Sequence, residues 1–266
     1  MDKSTSALAL VLAARPELPV HCVRPHAAEK AADWFLRHFP GDVLYAVKAN
    51  PHPAVLDAVY AAGVRWFDVA SLPEVELVAS RFSDATLAFM HPVKSRLASR
   101  RAYFDFGVRI FSLDSHDELK KIIEETNGAR DLHLVVRMTV VSDYAQHKLG
   151  EKFGVAGAEA AMLLRTARAH AEELGVSFHV GSQCMRPEAW RVAMQTVSDV
   201  IREAGVTVDI VDVGGGFPAA YPGLTPPPLS QYIAEIINAF ESMPVLENAD
   251  LWCEPGRALC AEAGSH

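Results

Sequence analysis

Apolar, β-branched runs alternate along this chain with segments of helical period. The runs lie at 43–48, 65–69, 86–90, 109–113, 132–138, 176–180, 208–213 and 250–253. The helical segments include 53–62, 72–81, 115–125, 157–174, 187–204 and 229–240. Such alternation is typical of βα units and a parallel sheet. Eight strands favour a closed (β/α)8 barrel over an open doubly wound sheet, and the 266 residues match the roughly 250 that such a barrel needs.

The acidic balance of the chain excludes some classes of function. The net charge is −8 at pH 7 and the pI is about 5.8, which argues against binding to nucleic acid or an anionic membrane. The apolar stretch 7–14 is too short to span a bilayer, and we expect an amphipathic helix that packs on the domain. The cysteines form no CxxC pair and the histidines lack HExxH-like spacing, so no metal site is predicted. These features favour a reduced, cytoplasmic protein.

Several predicted strands end in a polar or charged residue that is followed by a loop. These residues are Lys48, Asp68, His91, Arg137, His179, Asp212 and Glu254. In a barrel the carboxyl ends of all strands converge on one face, where active sites are built. Any single residue of this set could simply cap a strand or the helix after it. Together they favour a functional site at the barrel mouth.

Lys48 ends the first predicted strand, in the segment YAVKAN. A lysine buried there would have its pKa lowered toward that of a nucleophilic amine. That is the condition for Schiff base formation with an aldehyde cofactor. Read alone, the position fits better a lysine whose amine extends to the barrel rim.

Two loops late in the sequence are candidates for binding phosphate. Gly214, Gly215 and Gly216 follow the seventh strand, where a glycine turn lets backbone N–H groups approach an anion. Barrels commonly bind phosphate after strands seven and eight, although such a turn can also serve packing alone. In the EPGR segment after strand eight, Gly256 and Arg257 could reach the same phosphate.

The remaining candidates suit the ring of a cofactor. Glu254 could pair with a protonated ring nitrogen, and Ser182 could donate to a phosphate. His179 offers a flat ring that could stack on a cofactor or act as an acid–base group, although a hydrogen-bonded core histidine is more common. The set is compatible with pyridoxal 5'-phosphate, which needs an imine lysine, a stacking ring, a phosphate cradle and a carboxylate for its pyridine nitrogen.

The chain resembles the alanine-racemase-fold decarboxylases, which include ornithine, lysine, diaminopimelate and arginine decarboxylases. The matching segments are YAVKANPHPAVL, FDVASLPEVELV, HPVKSRLA, FHVGSQC, DVGGGFP and EPGRALCAEAGS. They occur in order between residues 45 and 265 and are very specific as a set. The resemblance implies a (β/α)8 TIM barrel of the alanine racemase type and pyridoxal phosphate as the cofactor.

The resemblance also implies a role for each site residue. Lys48 would be the Schiff base lysine and His179 would stack on the cofactor ring. Glu254 would pair with the pyridine nitrogen, where the racemases place an arginine that weakens the electron sink. Asp68 and Arg137 would support the lysine and the ring. The phosphate ligands would be Ser182, Gly214, Gly215, Gly216, Gly256 and Arg257.

The GGGFP segment is similar to the ornithine/lysine branch, which implies decarboxylation of L-ornithine to putrescine in polyamine biosynthesis. Lysine and diaminopimelate decarboxylases stay open as alternatives, as does a non-catalytic regulatory homologue. The small-molecule substrate would be bound in a homodimer with shared active sites.

Members of this family carry a C-terminal β-domain that is largely absent from this chain. That domain supplies the acidic residue for the substrate's distal amine and a proton-donor cysteine. We therefore expect a truncated chain that holds the cofactor on Lys48 but decarboxylates poorly. The expected domains are an N-terminal segment at 1–24, a barrel at 25–257 and the start of the β-domain at 258–266. Cys260 would lie on a strand that leaves the barrel. A cofactor-carrier barrel that never had a β-domain is a further alternative.

Overall fold

The computed structural model describes residues 6–140, 145–147 and 152–265. In chain order its elements are α1 (Ala7–Ala14), β1 (Cys22–Val23), α2 (Pro25–His38), β2 (Asp42–Ala46), a 3-10 turn (Val47–Ala49), α3 (Pro53–Ala61), β3 (Trp66–Val69), α4 (Leu72–Arg81), β4 (Thr86–Phe89), α5 (Arg96–Phe106), β5 (Ile110–Leu113), α6 (His116–Glu125), β6 (His133–Arg137), β7 (Ala145–His147), α7 (Gly157–Arg168), β8 (Glu173–Ser177), β9 (Ser182–Cys184), α8 (Glu188–Ala204), β10 (Ile210–Asp212), α9 (Leu229–Phe240), β11 (Asp250–Cys253), α10 (Arg257–Cys260) and β12 (Gly264–Ser265).

The predicted barrel is confirmed. Its eight strands close in the order β10-β11-β2-β3-β4-β5-β6-β8. Every neighbouring pair is parallel. Because a parallel pair needs a crossover, helices follow the strands and cover the outside of the sheet. All strands therefore point their carboxyl ends at one mouth.

Serine caps end several of the loops that join strands to helices. The side chains of Ser71, Ser95 and Ser115 accept hydrogen bonds from backbone N–H groups in the first turns of α4, α5 and α6. Each cap satisfies a backbone donor that the first turn of a helix leaves without a partner. These caps fix where the helices begin and so keep the loops at the mouth short.

The barrel interior is layered. An apolar layer contains Leu44, Trp66, Ala88, Ile110, Val135, Ile210 and Trp252, and Met90 packs against this layer from two residues beyond Ala88. Side chains two residues apart on a strand point to the same face. Asp68, Arg137, Asp212 and Glu254, each two residues beyond a member of the apolar layer, therefore point inward one layer nearer the mouth. The polar strand ends predicted from the sequence form a second layer above an apolar floor.

Several predicted boundaries are wrong. The strand predicted at 176–180 lies at Glu173–Ser177, and the helix predicted to reach 174 ends at Arg168. The polar segment before Gly175 has helical character, but Gly175 lies where a Cβ would come within 3.1 Å of Ile210 and Val135 side chains. Strand pairing with β6 begins at Glu173, which is in register with His133. The first barrel strand also ends early, at Ala46, so Lys48 lies in the 3-10 turn that follows.

The two ends of the described chain differ from expectation. Helix α1 forms, but none of its residues is buried, so the prediction that it packs on the domain is wrong. Its residues are all apolar and give it no polar face that would orient it. Cys260 ends helix α10 and does not lie on a strand that leaves the barrel. The strand that follows, β12, pairs antiparallel with β1. Among the described residues, no helix is long and apolar enough to cross a membrane.

Candidate cofactor site at the barrel mouth

Lys48 lies at the mouth of the barrel and is paired with Asp68. Its Nζ donates to Asp68 Oδ2 at 2.5 Å, with side-chain exposures of 54% and 0%. Neighbouring strands create the pair, because Ala46 of β2 is in register with Asp68 of β3. Burial disfavours the ammonium, but the carboxylates of Asp68 and Glu254 outweigh burial and raise the pKa of Lys48. The predicted lowering of this pKa is therefore wrong, and the amine keeps its proton.

Glu254 is buried directly after β11, at 3% exposure. Burial, followed by the nearby charges of Asp212 and Asp68, raises its pKa well above the ordinary value. Its Oε1 is buried and has no hydrogen-bond partner among the described residues. A buried acceptor without a donor costs free energy, so this oxygen is a candidate contact for a ligand.

His179 lies two residues beyond β8 and is neutral. Its Nδ1 accepts a hydrogen bond from the Gly181 N–H at 2.9 Å, which leaves the proton on Nε2. Burial, with the positive charges of Arg137 and Lys48, lowers its pKa to about 3. A neutral ring favours the predicted stacking role over a role as a general acid.

Arg257 lies at the start of α10 and connects the two loops predicted to bind phosphate. Its Nη2 donates to Ser182 Oγ at 3.1 Å and its Nη1 donates to the Tyr221 hydroxyl at 2.9 Å. Its Nε is buried and has no hydrogen-bond partner among the described residues. The guanidinium thus retains a donor for an anion.

The glycine run packs tightly on the loop after β8. A Cβ on Gly214 would lie 2.0 Å from the carbonyl oxygen of Phe178, and one on Gly216 would lie 2.5 Å from that of Gly181. Packing alone therefore requires glycine at both positions, and phosphate binding there stays a prediction. The same contacts bring the backbone beside His179, whose Nε2 would lie 3.4 Å from a Cβ on Gly215. Gly256 packs against Ala49, and a Cβ on Gly256 would lie 2.8 Å from the Cβ of Ala49.

Three residues outside the predicted set complete the site. Asp212 had been noted as a strand end, and its position two residues after Ile210 was the signal that it points inward. Gln183 has a φ of +56°. Its amide donates to the Ala219 carbonyl oxygen at 2.6 Å and accepts from the Ala219 N–H at 3.1 Å, which fixes the glycine loop to β9. No sequence pattern indicated this contact or that of Tyr221.

Among the strand-end residues, His91 differs because its side chain hydrogen-bonds within the loop that follows β4. Its Nδ1 accepts from the Val93 N–H at 3.0 Å, and its ring packs edge-on against Phe153, with centroids 5.1 Å apart. The other predicted residues lie together around the mouth.

The site has the groups that pyridoxal phosphate requires. The buried acceptor of Glu254 suits a protonated ring nitrogen, and the buried Nε of Arg257 suits a phosphate oxygen. Lys48 is exposed at the mouth, where an aldehyde can reach it. The residues present therefore fit this cofactor.

Comparisons with known proteins agree with this geometry. Residues 26–261 match the sequence family described as pyridoxal-dependent decarboxylase, pyridoxal binding domain. The chain is similar to the lysine/ornithine decarboxylase of Selenomonas ruminantium, with 31% identity over 95% of this chain and 64% of that protein. It is also similar to antizyme inhibitor 2 of Mus musculus, with 31% identity over 69% of this chain and 40% of that protein.

Among solved structures, the chain resembles a variant of SrLDC in complex with PLP. The TM-score is 0.85 at 29% sequence identity, and the match covers 98% of this chain and 68% of that one. The described barrel thus has the fold of a chain that was solved with pyridoxal phosphate bound. In each comparison this chain spans about two thirds or less of the length of the relative.

Proposed function

Because this chain belongs to the family of pyridoxal-dependent decarboxylases, whose pyridoxal-binding domain matches residues 26–261, we propose that it takes part in the decarboxylation of a basic amino acid. The observation that carries the proposal is Glu254, a buried carboxyl with one oxygen that has no partner among the described residues. A carboxylate on the pyridine nitrogen keeps that nitrogen protonated. Bound pyridoxal phosphate then supplies an electron sink for the electron pair left when CO2 departs.

Lys48 and Asp68 would hold the reactive end of the site. The Lys48 amine must lose a proton before it can act as a nucleophile. Asp68 Oδ2 lies 2.5 Å away and is the nearest group that can take this proton. The fully buried Asp68 also aims the lysine across the mouth.

His179 and the phosphate ligands would orient the cofactor. The neutral ring of His179 can stack without bringing a second positive charge beside Lys48 and Arg137. Arg137 ends β6 on the same face and would support the ring. The phosphate would be held by Ser182, Gly214, Gly215, Gly216, Gly256 and Arg257.

The first test is whether Lys48 binds pyridoxal phosphate. The purified chain, mixed with the cofactor, should develop the visible absorbance of a lysine-bound pyridoxal. Borohydride reduction followed by peptide mass mapping should place the label on Lys48. Lys48→Ala should abolish the band, and the control Lys120→Ala, at an exposed lysine of α6, should leave it unchanged. A band that survives in Lys48→Ala would contradict the proposal.

Within the basic amino acids we propose L-ornithine, with putrescine as the product. The relative named lysine/ornithine decarboxylase and the GGGFP segment support this choice. CO2 release should be measured with ornithine, lysine, arginine and diaminopimelate as substrates. The largest kcat/KM is expected for ornithine. A larger value for lysine or diaminopimelate would move the proposal to that substrate.

A regulatory protein without catalytic activity is the second candidate. The similarity to antizyme inhibitor 2, whose name denotes an inhibitor, favours it. The retention of Lys48, His179 and Glu254 at the barrel mouth favours the enzyme. CO2 release from ornithine or lysine would exclude the regulatory function, whereas cofactor binding on Lys48 without CO2 release fits both a regulatory protein and the poorly active truncated enzyme expected from the sequence.

We further propose a cytoplasmic homodimer with shared sites. All four cysteines lie in the described part of the chain and each is a free thiol, which supports a reducing compartment.

The β1–β12 pair supports the proposed boundary between the barrel at 25–257 and the segments at 1–24 and 258–266. Sedimentation equilibrium of the purified chain should give twice the mass of one chain.

A further inference from the structure

Two buried carboxyl groups lie close together at the carboxyl ends of β10 and β11. Asp212 is fully buried and Glu254 is 3% exposed. The strands are neighbours, with Asp212 in register with Trp252, two residues before Glu254. The side chains of Asp212 and Glu254 lie within hydrogen-bonding reach of each other.

This contact requires a proton. An ionised carboxylate has no donor, so two carboxylates cannot hydrogen-bond to each other. If both were ionised, two like charges would be in contact in a buried layer, which is strongly unfavourable. Asp212 Oδ2 and Glu254 Oε1 are both buried and neither has a hydrogen-bond donor among the described residues, so each carboxyl has an oxygen that a shared proton would satisfy.

The proton is held mainly by Glu254. Asp212 Oδ1 accepts the Gly214 N–H at 2.8 Å, and this bond favours the ionised form of Asp212. Glu254 therefore acts as the donor in the contact. Burial raises the pKa of Asp212 to about 6 and that of Glu254 well above its ordinary value.

Charged groups from several elements face this pair. Asp68 of β3 is a third carboxyl, whereas Lys48 after β2 and Arg137 of β6 are cations. Cys253 ends β11 directly before Glu254, and burial, followed by the charges of Asp212 and Glu254, raises the pKa of its thiol. The cations reduce the net negative charge around the pair. They do not supply the proton that Asp212 and Glu254 need in order to hydrogen-bond to each other.

We propose that Asp212 is a positioning residue that shares one proton with Glu254 and keeps Glu254 protonated until a basic nitrogen reaches it. On that contact the Glu254 O–H bond breaks and an N–H bond forms on the nitrogen. Glu254 becomes the carboxylate partner of the resulting cation. The proton for the ring nitrogen is then already stored in the protein. This inference rests on the proposed function only for the identity of the nitrogen.

The shared proton can be detected without cofactor. The infrared carbonyl stretch of a protonated carboxyl should be present in the cofactor-free chain at pH 7. Asp212→Asn should remove it, because an amide can donate to an ionised Glu254, and Glu254→Gln should remove it as well. The matched control is Asp250→Asn, at an exposed aspartate that begins β11 at its opposite end. Near-ultraviolet circular dichroism checks that each variant is folded.

A second readout counts the proton through stability. The folded chain holds a proton that the unfolded chain loses above about pH 4. The folded state therefore binds more protons, and its stability falls as the pH rises from about 4 toward the raised pKa. Over this window, each pH unit should lower the folding equilibrium constant of wild type about tenfold more than that of Asp212→Asn.

The outcomes separate this proposal from the proposed function. A protonated-carboxyl band that is absent from wild type, or that persists in Asp212→Asn, would overturn the shared proton. Added pyridoxal phosphate should remove the band in wild type as Glu254 gives up its proton. Failure of the cofactor to bind, with the band intact and dependent on Asp212, would reject the proposed function and support the shared proton.

Discussion

Two lysines of this barrel are paired with carboxylates in opposite environments. Lys48, after β2, is 54% exposed at the mouth and its pKa is raised. Lys94, after β4, has a side chain that is 0% exposed, and it is paired with Glu118 at 2.9 Å. Burial lowers the pKa of Lys94 to about 8, although Glu118 opposes the shift.

The difference shows that burial does not identify the cofactor lysine. Lys94 meets the condition of a buried amine with a lowered pKa, but its Nζ is enclosed. It donates to the carbonyl oxygens of Ser112 at 2.5 Å and His91 at 3.0 Å as well as contacting Glu118. Lys48 fails the pKa condition, yet it is open to a ligand and lies beside Asp68. Both lysines have a carboxylate neighbour, so access to a ligand is what distinguishes the proposed catalytic lysine from the structural one.

The largest expected effect is a difference in chemical labelling. An amine-reactive acylating reagent, applied to the folded cofactor-free chain, should modify Lys48 and leave Lys94 unmodified. The exposed Lys120 should react faster than Lys48, because the raised pKa keeps the Lys48 amine protonated. Peptide mass mapping measures all three. Labelling of Lys94 ahead of Lys48 would break the comparison.

Next in size is the loss of stability on removing Lys94. Lys94→Ala leaves Glu118 buried without this partner, and breaking a buried ion pair costs about 3–5 kcal/mol. A value near 3 is expected, because Lys121 also contacts Glu118 at 2.5 Å. Lys48→Ala also leaves a buried carboxylate, Asp68, without its partner, but water at the open mouth can replace the half-exposed amine, so a smaller loss of about 1 kcal/mol is expected. Urea unfolding measures both variants, and equal losses would contradict the assigned roles.

The smallest effect concerns the pH dependence of stability. Between about pH 8 and 10 the folded chain has lost the Lys94 proton while the unfolded chain keeps it. The unfolded state then binds more protons, so stability should rise by about 1.4 kcal/mol per pH unit relative to Lys94→Met. Lys48 has a raised pKa, so its contribution is lost only above the ordinary lysine range. Lys48→Met should therefore track wild type across this window.

The sequence predicted the barrel and the polar layer at its mouth well, because both follow from local periodicity. Asp68, Arg137 and Glu254 each come two residues after an inward apolar side chain, and a period of two places them on one face. The helix predicted to continue over 169–174 is wrong because the strand that begins at Glu173 depends on pairing with β6 and β10, which no local pattern reveals.

The protonation states could not be predicted from the sequence. The charge of Lys48 depends on Asp68, twenty residues away, and on Glu254 at the far end of the chain. The Gln183–Ala219 contact is equally non-local, since it joins residues 36 apart. Such contacts exist only after the barrel closes, when distant strand ends become neighbours.

The apolar floor beneath the polar layer makes the mouth a one-ended chamber. Trp66 and Trp252 pack with ring centroids 5.2 Å apart across the barrel interior. The apolar layer therefore leaves the mouth, where a ligand would enter, as the main route by which water and protons reach Asp68, Asp212 and Glu254. A ligand that fills the mouth closes the same opening through which these carboxyls exchange with solvent. A bound ligand should therefore stop these carboxyls from exchanging protons with solvent. The total number of protons in the site should stay as it was when the ligand bound.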